Sequence, residues 1–405
     1  MKIKSLHIKN FKSIVDLTIN EPNPFTVFVG PNGSGKSNIF EALEFAKLMT
    51  FEFDFDKKNK IENLFGGAES FLNFDYQNKD LVVSYEFDEE VIVFGRTLKN
   101  DQLLNTITQA KVQLNQNKVK IMEYLTKISG DKETSNNVKL LFSTDKFDKI
   151  LSPKYESFSF TFPIKKDAIN NLNSITEYNE NNLNYIFGAT EELLRNSSFE
   201  QFFVEFSRIF IGSRLGDKTN NRRYLKSDAS NLEKAVSYVL EDNMKRQELL
   251  EWLQLFIPEF VNIEYNTNEI NGKKNLQIFE KKSKKPFNTA LISDGTYNII
   301  ALLIAVYQSD EPQFLCIEEP ENGLNPYVIR KLVDFFRNAC EEKGHYIWLN
   351  THSQTLVECL SPEEVILVDK IDGETKVKQI KGKNLYGLDV AEAWLSGALG
   401  GGTPW

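Results

Sequence analysis

The chain has 405 residues, 41% of them hydrophobic and 26% charged, with a formal net charge of −9. That length leaves room for about two to three lobes around a sizeable core, and the acidic balance argues against a surface that holds nucleic acid everywhere. No apolar run approaches the ~20 residues of a membrane span, and three cysteines, Cys316, Cys340 and Cys359, are odd in number and lie in apolar or helical settings, as reduced thiols do.

From Lys2 to Ile19 polar and apolar residues alternate, which predicts two strands around a turn near Asn10. A chain that begins directly on a strand pattern is expected to have no secretory signal and to be cytoplasmic. Next comes FTVFVGPNGSGKSNIFEALE, from Phe25 to Glu44. Gly30, Pro31, Asn32, Gly33, Ser34, Gly35, Lys36 and Ser37 fit G-x-x-x-x-G-K-[ST] at every fixed position. A β-branched and aromatic run leads in, and a helix with Ile39, Leu43 and Ala46 on one face leads out to about Thr50. Glycines let successive N–H groups turn inward around phosphate oxygens, and the helix N-terminus adds positive potential. Lys36 is expected to reach the β- and γ-phosphates, and the Ser37 hydroxyl to ligate Mg²⁺.

Leu81–Phe87 and Val91–Phe94 predict two more strands, joined by the acidic turn Asp88-Glu89-Glu90, in an antiparallel sheet. From Arg96 to Asn196 glycine becomes rare and helical spacing replaces alternation: Leu104, Ile107, Leu114, Ile121, Leu125 and Ile128 fall three or four apart or at multiples of that step. A compact helical lobe is expected there, with Asp131–Asn137 and Asn170–Asn184 as loops. Ordered α/β character returns near Phe199. Ser293, Asp294 and Gly295 precede a strongly apolar helix, Tyr297–Tyr307; a serine-capped helix start can simply cap itself or can hold phosphate.

The apolar strand Phe314–Ile317 ends on Glu318 and Glu319. Beside a phosphate loop, the first carboxylate can hold Mg²⁺ through a water and the second can deprotonate the attacking water. Glu318 stands where Asp is usual, so its reach differs by a methylene. A helix, Pro326–Glu342, separates this strand from Tyr346–Leu349, after which come Asn350, Thr351 and His352. A neutral imidazole at such a strand end can hydrogen-bond a γ-phosphate and the attacking water. Val365–Val368 predicts one more strand.

The order of these segments resembles the ATP-binding-cassette ATPases of the SMC, RecF and OLD group. IKSLHIKNFKSI is similar to that group's first hairpin, GPNGSGKSNIFEAL (through Asn38) to its phosphate loop, and Asp228–Leu232 to a recurring "NL" element. EEPENGLNP and THSQTLVE resemble its Walker B, D-loop and H-switch segments. The resemblance implies an α/β ABC-ATPase head: a phosphate-loop core with a mixed sheet and an antiparallel β lobe, carrying an inserted helical lobe. It divides the chain into residues 1–95, an insertion over 96–210, and 211–405. It also implies ATP and Mg²⁺ as ligands and two copies sandwiching ATP, with Ser293, Asp294 and Gly295 of one copy on the γ-phosphate of the other and Asn322 to Asn325 near the seam. Asn325 replaces a histidine common in these relatives, and Gln77 is the candidate for their Q-loop.

OLD nucleases carry a Toprim domain after the ATPase. The ~52 residues beyond Ser353 are short for one, and Asp369 and Asp372 fit a strand turn better than a metal site. The expected role is therefore a sensor that controls a separately encoded nuclease or toxin in anti-phage defence, with Trp394 and Trp405 as a docking anchor or a frayed end. The alternative is a RecF-like repair ATPase that binds DNA, served by Arg222-Arg223 and Lys281–Lys285. A transporter ATPase is disfavoured by the insertion and by the SDGT string. No membrane partner is expected.

Overall fold

A computed structural model describes residues 3–51, 65, 70, 73, 81–87, 91–98, 137–143, 155–163, 205–211, 224–267, 274–289, 291–385 and 387–399. In chain order, β1 (Ile3–Phe11), β2 (Ile14–Asn20) and β3 (Phe25–Val29) lead to α1 (Lys36–Phe51). Then come β4 (Leu81–Phe87), β5 (Val91–Leu98), β6 (Asn137–Ser143), β7 (Tyr155–Pro163) and β8 (Phe206–Phe210). They are followed by α2 (Leu232–Glu241), α3 (Asn243–Phe256), β9 (Phe260–Thr267), β10 (Lys274–Glu280), β11 (Phe287–Asn288) and α4 (Asp294–Tyr307). The last group is β12 (Phe314–Glu318), α5 (Pro326–Lys343), β13 (Tyr346–Thr351), α6 (Gln354–Val357), β14 (Val365–Ile371), β15 (Glu374–Gln379) and α7 (Val390–Leu395). Two units share these elements: one takes Met1–Pro22, Asn32–Val204 and Val368–Gln379, the other Asn23–Pro31, Glu205–Leu367 and Ile380–Trp405.

The first unit is built on an antiparallel sheet in the order β2-β1-β4-β5-β7-β6. Alternation in β1 and β2 sends Leu6, Ile8, Leu17 and Ile19 inward, and Ile8 faces Leu17 on one neighbour and Val83 on the other. Phe11 pairs with Ile14, so the turn is Lys12-Ser13, two residues beyond the expected Asn10. Lys12 takes φ +48°, as a two-residue hairpin turn demands at its first position. Phe11, Phe45 of α1 and Phe65 cluster with ring centroids 5.7–6.4 Å apart. β15 runs beside β2, where the Gln379 amide exchanges two hydrogen bonds with the Asn20 backbone.

Within 96–210 the described elements are strands, while most of the lobe expected to be mainly helical lies outside the described residues. β6 and β7 pair antiparallel with each other and β7 with β5, so the insertion extends the sheet of the first hairpin. Tyr155, Phe158, Phe160 and Phe162 are β-favouring aromatics, three of them in strict alternation, and they outweigh the helix-like composition around them. The seam from Leu104 to Ile128 lies outside the described residues.

In the second unit β14, β3, β13, β12 and β8 form a parallel array in that order. Parallel strands are covered on both faces, which is why FTVFV and FLCI are almost wholly apolar and fully buried, with the one hydroxyl, of Thr26, donating to the Asn23 carbonyl at 2.7 Å. Trp348 of β13 lies between Phe28 and Phe314, with centroids at 5.5 and 4.8 Å. α4 is apolar all round and buried from Ile299 to Tyr307, the pattern of a helix inside a core. Trp394 of α7 belongs to this same core, so it is not a free anchor for a partner; Trp405 lies outside the described residues. Asp369 and Asp372 sit in β14 and the turn after it, as expected, with Asp372 at φ +51°.

Candidate active site

Loops at the carboxyl ends of parallel strands are where open α/β sheets place their chemistry. In the second unit Gly30 and Pro31 follow β3, Glu319 follows β12 and His352 follows β13.

In the first unit the phosphate loop continues from Asn32 into α1, which starts at Lys36 and Ser37. Gly33 and Gly35 take φ +80° and +96°, conformations that residues with a side chain rarely adopt. A Cβ on Gly35 would stand 1.9 Å from Thr375 Oγ1, so the close approach also excludes any side chain. Thr375, at the start of β15, is fully buried and donates to the Ser34 carbonyl at 3.0 Å. Lys36 is almost wholly buried. Asn38, expected at the nucleotide, donates its side-chain amide to Ser13 Oγ at 2.6 Å.

In the second unit the Glu319 backbone is held at φ +44°, an uncommon region for a side-chain-bearing residue. Its N–H donates to both the carbonyl and the Oδ1 of Asn350, each at 3.0 Å. One carboxylate oxygen lies 3.2 Å from His352 Nδ1, and the other accepts from Asn322 Nδ2 at 3.0 Å. The carboxylate and the imidazole are both open to solvent. Glu318, the expected metal ligand, is paired with Arg208 of β8, whose Nε reaches it at 2.5 Å. Glu321 is buried and accepts from the Thr351 hydroxyl, while its other oxygen, Oε2, has no hydrogen-bond partner. Burial pushes its carboxyl above the usual range against the pull of the Thr351 bond.

The start of α4 lies against the loop that follows β12. Ser293 caps the helix, accepting from Thr296 N–H at 3.1 Å, and Asp294 begins its first turn. A Cβ on Gly295 would meet the Gly323 carbonyl at 2.6 Å, and Asn298 Nδ2 donates to the Asn322 carbonyl at 2.8 Å. Asn322 thus touches the base of α4 with its backbone and Glu319 with its side chain. Asn325 caps α5, accepting from Val328 N–H. Asn231 of the "NL" element braces its own turn through Lys226 N–H and the Tyr224 carbonyl, and Leu232 is buried. Arg208, Asn350 and Thr375 carried no signal in the sequence, because each meets its partner across a long stretch of chain. Gln77, Arg222 and Arg223 lie outside the described residues.

The family model described as "AAA domain, putative AbiEii toxin, Type IV TA system" matches residues 25–358. An "ATP/GTP phosphatase" of Helicobacter pylori is 23% identical over 393 residues, which span 95% of this chain and 94% of that protein. A "Chromosome partition protein Smc" of Methanocaldococcus jannaschii is 51% identical over 43 residues, 11% of this chain and 4% of that protein. Among solved structures, the SmcHead bound to the C-winged helix domain of ScpA is 14% identical, with a TM-score of 0.49 over 96% of this chain and 100% of that one.

Proposed function

This chain belongs to the AAA family matched over residues 25–358, as an ABC-type ATPase of the SMC and RecF kind, and on that premise we propose that it binds ATP with Mg²⁺ and hydrolyses it in an assembly of at least two copies. The observation that carries the hydrolytic part is the setting of Glu319. Its backbone is tied to Asn350, one oxygen faces His352 and the other is held by Asn322, so the carboxylate is fixed in direction yet open to a water. Glu319 would take the proton of the attacking water, and His352 would orient that water and the γ-phosphate. Backbone N–H groups of residues 30–37 would cradle the phosphates, with Lys36 neutralising their charge. The Ser37 hydroxyl fits a hard cation, and Glu318, already balanced by Arg208, would act on it through a water. Bound there, Mg²⁺ would draw charge from the transferring phosphoryl group. Ser293, Asp294 and Gly295 would meet the γ-phosphate held by a second copy.

Two variants separate binding from chemistry. Lys36→Ala should weaken ATP binding itself. Glu319→Gln should keep ATP bound and lower turnover by about 10²-fold or more, the scale of a lost general base. Normal hydrolysis by Glu319→Gln would remove the assignment.

The output of such an ATPase would be control of a separately encoded nuclease or toxin, in anti-phage defence. What supports this is the toxin–antitoxin description attached to the family. ATP would act by favouring the closed pair of heads, since a ligand shifts an equilibrium by its differential affinity for the two states. The exposed turn Lys281–Lys285 favours a second reading, in which the chain holds DNA as a RecF-like repair ATPase. DNA-stimulated turnover that falls steeply with salt would select the second; co-purification with the product of an adjacent gene would select the first. No described helix is long and apolar enough to cross a membrane.

A further inference from the structure

Three side chains from distant parts of the chain meet behind the phosphate loop. Asn38 Nδ2 lies 2.6 Å from Ser13 Oγ, Ser13 Oγ lies 2.6 Å from Thr375 Oγ1, and Thr375 Oγ1 lies 3.0 Å from the Ser34 carbonyl. The direction of every bond follows from the chemistry of the groups. A carbonyl can only accept, so the single Thr375 proton goes to Ser34. The Ser13 hydroxyl must then donate to Thr375, and its oxygen accepts from the Asn38 amide. The relay starts in the first turn of α1, passes through the β1–β2 turn and β15, and ends on the loop backbone. It is doubled by a backbone bond, Thr375 N–H to the Ser13 carbonyl at 2.8 Å.

A peptide plane carries its C=O and N–H on opposite sides. Tying the Ser34 carbonyl to Thr375 therefore turns the Gly35 N–H the other way. The plane needs such a tie: Gly33 and Gly35 are at positive φ, where glycine moves freely, and a row of N–H groups aimed at one point repel one another until an anion arrives. The hydroxyl and the glycine are also matched in shape. Thr375 Oγ1 occupies the place a Gly35 Cβ would take, so the hydroxyl approaches only because residue 35 lacks one.

We propose that Thr375 and Ser13 are positioning residues for nucleotide binding, which hold the Ser34–Gly35 peptide with its N–H presented to phosphate before the nucleotide arrives. This rests on the reading of residues 30–37 as the phosphate loop. Preorganisation of this kind acts on affinity, because the loop no longer has to be ordered by the ligand. The buried threonine is thereby more than a satisfied polar group: its hydroxyl sets the direction of a donor that it does not itself carry.

The test is calorimetric titration of the full chain with the non-hydrolysable analogue AMP-PNP and Mg²⁺. Thr375→Val keeps the shape and removes the hydroxyl, and its dissociation constant should rise about 3- to 10-fold, the scale of one net hydrogen bond. Thr375→Ser restores the donor and should return to within about twofold of the parent. In steady-state assays the KM for ATP should rise with the dissociation constant while kcat falls by less. Unchanged affinity in a folded Thr375→Val protein overturns the proposal, as does Thr375→Ser binding as weakly as Thr375→Val. If Thr375→Val does not fold, Ser13→Ala takes its place under the same criterion. Lys36→Ala, titrated alongside, separates the two readings. Unchanged affinity there removes the phosphate-loop reading and this proposal with it, whereas weak binding by Lys36→Ala with normal binding by Thr375→Val removes this proposal alone.

Discussion

Glu321 and His345 are buried titratable groups whose environments push them in opposite directions. Burial raises the Glu321 carboxyl above its ordinary 4.5, so the native state holds its proton more tightly than the unfolded chain does. Its contribution is fully present below about pH 4.5 and is lost as pH rises through the folded value. Glu321→Gln keeps an oxygen for Thr351 and cannot ionise. Urea melts from pH 4 to 8 should show this variant gaining on the parent as pH rises, and Glu321→Ala, which strands the Thr351 hydroxyl, should be the least stable of the three. A parent that gains on Glu321→Gln toward pH 8 would mean the carboxylate is held ionised. His345 behaves in the reverse sense. Burial, helped by the nearby Lys343 charge, lowers it from 6.5 to about 4, and Gln313 N–H donates to its Nδ1 at 3.0 Å. The unfolded chain then binds the extra proton first, so stability is lost as pH falls from about 6.5 toward 4. The loss should approach ~3 kcal/mol, from ~1.4 kcal/mol per unit of displacement. His345→Asn, which retains an acceptor for Gln313, should remove that slope; an unchanged slope would place the acid-labile group elsewhere.

Elements were legible where a local pattern and its tertiary setting agree. The run Phe25–Val29, the phosphate loop and α1 form one contiguous signal, and Phe314–Glu318 and Tyr346–Thr351 are short apolar strands closed by polar residues. Tertiary context decided the rest. Asn10 sits at φ +58° and reads as a turn, yet the pairing of Phe11 with Ile14 moves the turn to Lys12-Ser13. Within the insertion, composition spoke for helix, but Tyr155–Pro163 carried the alternation of a strand and pairs with β5 and β6. Asn325 shows the same dependence on context. Its sequence position suggested a lost histidine function, and the structure makes it the cap of α5, followed by Pro326 at the first helical position. Asn325→Ala should cost about 1 kcal/mol of stability, and Asn325→Ser should recover most of it. A Ser variant no better than Ala in denaturant melts would show that the cap is not what residue 325 supplies.

At the scale of the whole molecule the question is how many chains make one ATP site. Within one chain the start of α4 is pressed against the loop of Glu319, through the Gly295–Gly323 approach and the Asn298–Asn322 bond. Ser293 closes that helix with an exposed hydroxyl, and the body of α4 is anchored in the core, so the helix start is a rigid platform that one chain can present to another. Ser293, Glu319, His352 and Lys36 are candidates that the sequence alone could name, since each lies in a contiguous motif. Asn350, which holds Glu319, Arg208, which pairs with Glu318, and Thr375, which meets the Ser34 carbonyl, were not legible, because spatial proximity across more than 30 residues leaves no local trace. Composite sites have a consequence for mixtures. If the sites are composite as proposed, Ser293→Arg would put bulk and charge where a neighbour's γ-phosphate would sit, and Lys36→Ala would remove the lysine from its own loop, so each variant alone should be nearly inactive. In an equal mixture about half of the dimers are mixed, and each of those keeps one intact site, made from the Lys36 of one chain and the Ser293 of the other. Recovered turnover should therefore approach about a quarter of the parent value. No recovery in a mixture whose heterodimers are verified by native mass spectrometry would mean that each chain completes its own site.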